Sequence, residues 1–314
     1  MDVPRWQDVL DAHERIAGWV HRTPVLTSRA IDRIAGCELL FKCENFQKVG
    51  AFKFRGATNA VLLLDPAAAE KGVATHSSGN HAAALALAAA NRGIKAHIVM
   101  PVTAPEIKKK AVSGYGAEIT WCKPTLEARE STLEKVVSST GATFIHPYNN
   151  FAVISGQATA AKELIEETGS PDIVMVPVGG GGLLSGTAIT VKSMSSHTRV
   201  IAAEPEKADD AYRSFRTGIL QPALPPATVA DGLLTSLGPL TFRVVREYVD
   251  DIICVSEQGI IDAMRMVWER MKIIIEPSSA VPLAAVLDNK DLFAGTRTGI
   301  ILTGGNADLD NLPF

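Results

Sequence analysis

Lys53 stands between Phe52 and Phe54 in the stretch KCENFQKVGAFKFRGATNA, residues 42–60. A charged side chain keeps aromatic neighbours when its stem snorkels along apolar surface, or when its amine is withdrawn from water in order to react. Residue types alone leave both open: a solvated helix lysine, or an amine made nucleophilic and basic by burial. A second stretch, VPVGGGGLLSG, passes from an apolar run into a helical one. Gly179, Gly180, Gly181 and Gly182 leave successive backbone amides with no side chain in the way. At a helix N-terminus this makes a phosphate cradle, whereas a merely tight turn needs only one or two glycines. A dinucleotide site competes for the same residues. Gly180, Gly182 and Gly186 approach its fingerprint, and Glu204 closes the next strand where a ribose-binding acid would stand, although the last spacing is GxxxG rather than GxxG.

Two further loops carry polar groups. In THSSGNHAAALALAAANRG, Ser77, Ser78, Gly79, Asn80 and His81 lead from a strand into an alanine-rich helix. Ser78 or Asn80 could serve only as an N-cap, but hydroxyls, glycine and amide gathered at one point also suit a carboxylate. LTGGN, residues 302–306, brings Thr303 and Asn306 to the end of the last strand. Ligands of open α/β sheets bind outside the carboxyl ends of strands, so the three loops can converge. The histidines offer no HExxH spacing and the serines no GxSxG elbow, which argues against a zinc hydrolase or a serine hydrolase. A phosphate cradle, a carboxylate loop and a lysine held between aromatics together match the needs of pyridoxal phosphate. That cofactor has a phosphate to anchor and an aldehyde for an amine to hold.

The elements that must position these residues alternate along the chain. Strands are expected at 38–44, 72–78, 95–100, 117–122, 172–178, 199–204, 251–256 and 298–305. Helices are expected at 53–64, 79–92, 104–113, 125–138, 151–168, 182–195, 257–272 and 277–288. Such alternation implies crossover units, and apolar runs without polar alternation imply strands covered on both faces, hence an α/β fold with largely parallel sheets. The proline-rich segment GILQPALPPATVADGLL, 218–234, is a long irregular connection of the kind that usually carries function. No linker divides the 314 residues, so two interleaved domains are expected: 1–66 and 148–314 forming a large cofactor-binding domain, and 67–147 a small one.

A net charge of −3, a pI near 6.2 and 6% aromatics give no reason to expect a nucleic-acid or anionic-membrane partner. Cys37, Cys43, Cys122 and Cys254 form no CxxC pair and read as free thiols. The acidic, amphipathic start MDVPRWQDVLDAHERIAGWV has no signal-peptide character, and the longest apolar run is too short to span a bilayer, so a cytoplasmic protein is expected.

Taken in order, RTPVLTS, KCENFQKVGAFKFRGA, THSSGNHAAAL, HPYNN, VPVGGGGLLSG, AAEPEKADDAY, EPSSAVPLAAV and LTGGN cover nearly the whole chain. They resemble the fold type II pyridoxal phosphate enzymes (the tryptophan synthase beta-like architecture), specifically the serine racemase and serine/threonine dehydratase group. The tail and AAEPEKADDAYRSF look most like bacterial 3-hydroxyaspartate dehydratases. The resemblance implies that Lys53 carries the cofactor with Phe52 packed beside it, and that Gly179 to Gly182 hold its phosphate. Asn80 would bond the ring hydroxyl, and Thr303, where the group usually has serine, would face the pyridine nitrogen. Ser77, Ser78 and His81 would meet the substrate carboxylate, with Ser78 on the ring face opposite Lys53. Tyr148 and Ala82 depart from the pattern of animal serine racemases on the substrate side.

A second substrate carboxylate would need a cation. Arg129, in TLEARES, is the residue the family places near the pocket mouth, and a solvated helix arginine is the plain alternative. In the racemases and some dehydratases of this group, the loop that follows the strand next to the phosphate cradle binds a divalent cation. The matching donors are the carboxylates of Glu204 and Asp210 and the carbonyl of Ala208. All are oxygens and suit Mg²⁺ or Ca²⁺, while a capped helix start with ordinary acids explains the same residues without a metal. The function so implied is a β-eliminating ammonia-lyase for a small β-hydroxy amino acid, 3-hydroxyaspartate foremost, working as a homodimer. Serine racemase or serine/threonine dehydratase is the near alternative. A nicotinamide-dependent dehydrogenase, and an amino-acid-binding sensor without catalysis, are the remote ones.

Overall fold

The computed structural model describes residues 2–77, 79–104, 106–225 and 227–314. In chain order the helices are α1 Trp6–Ile16, α2 Arg29–Ala35, α3 Lys53–Leu62, α4 Pro66–Lys71, α5 Asn80–Arg92, α6 Glu106–Gly114 and α7 Leu126–Thr140. They continue as α8 Phe151–Thr168, α9 Gly182–Met194, α10 Asp210–Thr217, α11 Pro239–Tyr248, α12 Glu257–Met271, α13 Pro277–Asp288 and α14 Lys290–Phe293. The strands are β1 Val25–Leu26, β2 Glu38–Cys43, β3 Val73–His76, β4 Ala96–Pro101, β5 Glu118–Cys122, β6 Thr143–Phe144, β7 Ile173–Pro177, β8 Arg199–Pro205, β9 Asp251–Val255 and β10 Arg297–Leu302.

They form two sheets. The larger has the order β1-β2-β10-β7-β8-β9 and the smaller β5-β4-β3-β6. Every pairing is parallel except β1 with β2. The expected α/β class with largely parallel sheets is therefore what the chain adopts. The smaller sheet uses only residues between 73 and 144, nested between strands of the larger one.

Period-two alternation builds each core. On the larger sheet Leu39, Phe41, Ile173, Met175, Ile201, Ala203 and Ile300 face α12 and α13, while Leu40, Val174, Val176, Val200, Ala202 and Ile301 face α8, α9 and α11. On the smaller sheet Val73, Ile98 and Met100 pack against α3 and α5, and Ala74, Val99 and Cys122 against α7. Both faces being covered explains why so many strands read as unbroken apolar runs.

The eight expected strands and eight expected helices all form, with ends shifted by a few residues. Sequence reading passed over α1, α2, α4, α10, α11, α14 and the two-residue strands β1 and β6. Most are of eight residues or fewer, whereas α1 and α11 are amphipathic helices of 11 and 10 residues whose pattern was there to be read. Among the described residues of segment 218–234, the one element is a 3₁₀ turn at Asp231–Leu233.

Candidate active site

Lys53 is the first residue of α3, and the loop before it is laced to the third ligand loop. Ala51 bridges Gly304, the Phe52 amide donates to the Thr303 carbonyl at 3.0 Å, and the Gly305 amide donates to the Gly50 carbonyl at 2.9 Å. Lys53 is half-buried, with its amine turned inward: Nζ donates to the Pro147 carbonyl at 2.9 Å and lies 5.0 Å from the Phe52 ring centre. Loss of water lowers its pKa to about 8, against a smaller upward pull from Glu276. The amine between the two phenylalanines is thus withdrawn from water rather than solvated on a helix face.

The glycine loop lies on the other side of the dipeptide Pro147–Tyr148. Gly181 takes φ +82°, Gly182 opens α9, and Thr241 fixes the loop through Oγ1 to the Gly180 carbonyl at 2.9 Å. A Cβ on Gly180 would stand 2.3 Å from the Tyr148 ring, and one on Gly179 2.9 Å from the Leu233 Cα. Side chains are thus excluded from the cradle by its neighbours. One residue, at roughly 3.8 Å of chain, separates the amine's acceptor from the ring over the cradle. This buried amine and cleared cradle fit pyridoxal phosphate.

At the second loop the Ser77 amide donates to Val99 at 3.2 Å, and its Oγ accepts from the Gly79 amide at 3.3 Å. Ser78, expected to act here, lies outside the described residues. Asn80 opens α5 and is held at both ends of its amide. Nδ2 lies 3.0 and 3.1 Å from the two carboxylate oxygens of Glu276, and Oδ1 accepts from Asn306 Nδ2 at 2.9 Å. The His81 ring is engaged with the backbone. Its Nε2 is 3.2 Å from the Ile145 carbonyl, so Nε2 carries the proton, and burial pulls its pKa down to about 3. Nδ1 then offers only a lone pair, which cannot attract a carboxylate. What His81 can give is its first-turn backbone amide. Thr303 is buried, its hydroxyl 3.0 Å from that of Ser279, which also pairs with the Gly304 backbone.

Arg129, on α7, is half-buried, and its Nε has no hydrogen-bond partner among the described residues. Burial first, and the Arg129 charge second, lower the pKa of His76 at the end of β3. From His76 a row of rings runs through Phe144 and His146 to Tyr148, at centroid separations of 6.0, 5.6 and 4.5 Å. Arg129 is thus near enough to His76 for its charge to be felt there, and it is not fully solvated.

The cation loop is half explained by the protein itself. Glu204 is buried, and its oxygens accept the Ala211 and Tyr212 amides at 3.0 and 2.8 Å. Burial pushes its carboxyl up to about 9 and that of Asp210 up to about 6, and Asp210 Oδ2 is buried without a partner. No three His, Cys, Asp or Glu side chains among the described residues gather around one point. Two desolvated carboxylates, one with an idle oxygen, nevertheless fit a hard cation aided by the Ala208 carbonyl and water.

Sequence reading gave no role to Glu276, which is 4% exposed and joins Asn80 to the third loop. A carboxylate immediately before a proline-opened helix, in EPSSA, was the available signal.

A buried lysine amine beside a helix-terminal glycine cradle, at the meeting of two parallel sheets, defines a cofactor enzyme of the pyridoxal phosphate type. Residues 16–304 match the family of pyridoxal-phosphate dependent enzymes, and the chain belongs to it. It is 54% identical to the β-hydroxyaspartate dehydratase of Paracoccus denitrificans across 100% of both chains. It is 46% identical to the L-threo-3-hydroxyaspartate ammonia-lyase of Saccharomyces cerevisiae, over 98% of this chain and 95% of that one. The crystal structure of serine racemase from Dictyostelium discoideum matches with a TM-score of 0.93 at 51% identity, covering 97% of this chain and 99% of that one. The dinucleotide reading falls with this: Glu204, its would-be ribose acid, is spent on the amides that open α10. No helix among the described residues is long and apolar enough to cross a membrane.

Proposed function

We propose that this chain is an ammonia-lyase acting on 3-hydroxyaspartate, giving oxaloacetate and ammonia; the water lost on elimination is regained on hydrolysis. Carrying this is the full-length similarity to a β-hydroxyaspartate dehydratase, with the half-buried Arg129, whose Nε is unpartnered among the described residues, as a candidate cation. Bound pyridoxal phosphate supplies an electrophilic carbon for the substrate amine and an electron sink for the bond broken at Cα. Around it, Gly179 to Gly182 bind the phosphate through backbone amides. Phe52 packs against the Lys53 stem, and Lys53 Nζ, released from its hold, removes the Cα proton. Asn80 donates to the ring oxygen, and Thr303 meets the ring nitrogen as a neutral hydroxyl. Ser77, Ser78 and the amide of His81 receive the substrate carboxylate, and Arg129 its second carboxylate.

Serine racemisation is the second reading, favoured by the 51% identical serine racemase. In it Ser78 returns the proton to the opposite face. Further parts of the proposal are a Mg²⁺ or Ca²⁺ ion at Glu204, Ala208 and Asp210, and a homodimer. A cytoplasmic location is supported by four cysteines that are all free. Segment 67–147 is taken as a small substrate-loop domain beside the large cofactor-binding domain of 1–66 and 148–314.

The test is a panel of serine, threonine and the hydroxyaspartate isomers, scored for 2-oxo acid and for chirality of the recovered amino acid. Preference for hydroxyaspartate supports the lyase; turnover confined to serine inversion sinks it. Arg129→Ala should raise KM for hydroxyaspartate about tenfold or more, since a charge-assisted bond is lost, and KM for serine much less. Equal losses for both substrates would remove Arg129 from the second-carboxylate role.

A further inference from the structure

The Asn80 amide has a fixed sense that can be deduced without seeing a proton. Asn306 Nδ2 lies 2.8 Å from the Val49 carbonyl, which can only accept, so Asn306 must turn its NH₂ that way. The same NH₂ reaches Asn80 at 2.9 Å, so Asn80 must present its oxygen there. Asn80 Nδ2 is thereby driven to the opposite side, where Glu276 accepts from it. Glu276 is anchored in turn: its amide donates to the Gly304 carbonyl at 3.0 Å, and it caps α13. A Cβ on Gly304 would lie 2.7 Å from its Oε1, so the carboxylate lies against that loop in space only glycine leaves open.

We propose that Glu276 and Asn306 are positioning residues that lock the Asn80 amide as a hydrogen-bond donor toward the cofactor's ring oxygen. Neither would touch the reacting atoms. The two residues act from opposite ends of one amide, and the lock ties the first turn of α5, on the smaller sheet, to the Val49–Gly50 and Gly304–Asn306 loops beside Lys53. An Asn80 free to flip would present a carbonyl oxygen to the ring oxygen, turning attraction into repulsion. Glu276 is also the one acidic group whose charge is felt by Lys53. The charged groups around the carboxylate are Asp231 on the 3₁₀ turn, Lys108 on α6 and Lys53 on α3. Burial first, then Asp231, hold its carboxyl up to about 7, opposed by the Asn80 bond and Lys108.

The inference rests on the cofactor class and not on the identity of the substrate. Its test is cofactor affinity, titrated into apoprotein by the change in visible absorbance, with melting temperature as a check on folding. Glu276→Ala should weaken affinity about tenfold, the loss expected when a charged acceptor is removed. Asn306→Ala should weaken it less, because the Glu276 bond still favours the donor orientation. Glu276→Gln keeps an acceptor for Asn80 but loses the charge. It should bind within about threefold of wild type, while the pH midpoint of the holoenzyme's visible band moves down, since a cationic nitrogen at Lys53 loses its nearby anion. Wild-type affinity in folded Glu276→Ala and Asn306→Ala overturns the lock, as does an unmoved midpoint together with wild-type affinity across the series. If wild type itself bound no cofactor, the family reading and not the lock would have failed.

Discussion

Two lysines near the same strand end show how environment decides a residue's use. Lys42 Nζ meets the Glu163 carboxylate at 2.7 Å and the Thr23 carbonyl at 2.6 Å, inside a buried set in which Arg55 also binds Glu44 and Glu163. Lys53 meets the Pro147 carbonyl and the Phe52 ring. The first is a paired structural charge; the second has lost water without gaining a carboxylate partner, which is what lowers its pKa. Lys53→Ala should therefore abolish turnover while leaving the melting temperature close to that of wild type, as it breaks one bond to Pro147. Full activity in that variant, measured by 2-oxo acid release, would end the assignment of Lys53.

At the scale of elements, the Lys53 helix is placed by a crossing of backbones. A Cβ on Gly156 of α8 would lie 2.6 Å from Gly56 Cα, and one on Gly56 2.6 Å from the Val153 carbonyl. Only glycines let α3 approach α8 so closely. Gly156→Ala must push the helices apart, costing ~1–3 kcal/mol as overpacking does, and should reduce cofactor affinity because α3 carries Lys53 at its first turn. Chemical denaturation and cofactor titration would read the two effects; unchanged values in both would mean that the crossing relaxes without moving the site.

The loop after β8 makes a prediction of opposite character. Folded Glu204 holds its proton up to about pH 9, whereas its ordinary value is 4.5. Between those values the unfolded chain binds fewer protons, so stability must fall as pH rises through this window. A bound divalent cation would favour the ionised carboxylate and flatten the decline. Melting curves between pH 5 and 9, with chelator and with Mg²⁺, should therefore diverge toward high pH, Mg²⁺ giving the more stable protein. Superimposable curves would leave Glu204 and Asp210 as a helix start without a metal.

For the whole molecule, the two sheets share α3, whose apolar side lies in the core of the smaller one, and they meet again across the site. Lys108 on α6 pairs with Asp231 on the larger sheet's 3₁₀ turn, close to Gly79 of the carboxylate loop. The partly exposed pair is worth no more than ~1 kcal/mol to global stability. Its effect should be local: Lys108→Ala should speed amide hydrogen exchange in α6 and leave β7, β8 and β10 at wild-type rates. Uniform acceleration across both sheets would show that the bridge supports the global fold rather than holding the smaller sheet against the larger.

The amino-acid order by itself determined the alternation of strands and helices, because strands buried on both faces must be apolar throughout and the helices between them carry a 3.6-residue pattern. It also singled out the glycine run and the lysine as candidates, but left open whether that lysine is solvated or withdrawn from water. The eight-residue α10 was lost because it buries only Asp210, Ala211 and Ser214, which form no apolar stripe, whereas α11, with Leu240, Val244 and Val245 buried, was legible. Tertiary structure alone decided which buried lysine is paired and which is free, and that the His81 ring turns away from the carboxylate loop toward Ile145. It alone brought Glu276 to Asn80, 196 residues away in the chain. Such outcomes depend on which groups meet after the chain has closed, and no local window of sequence contains both partners.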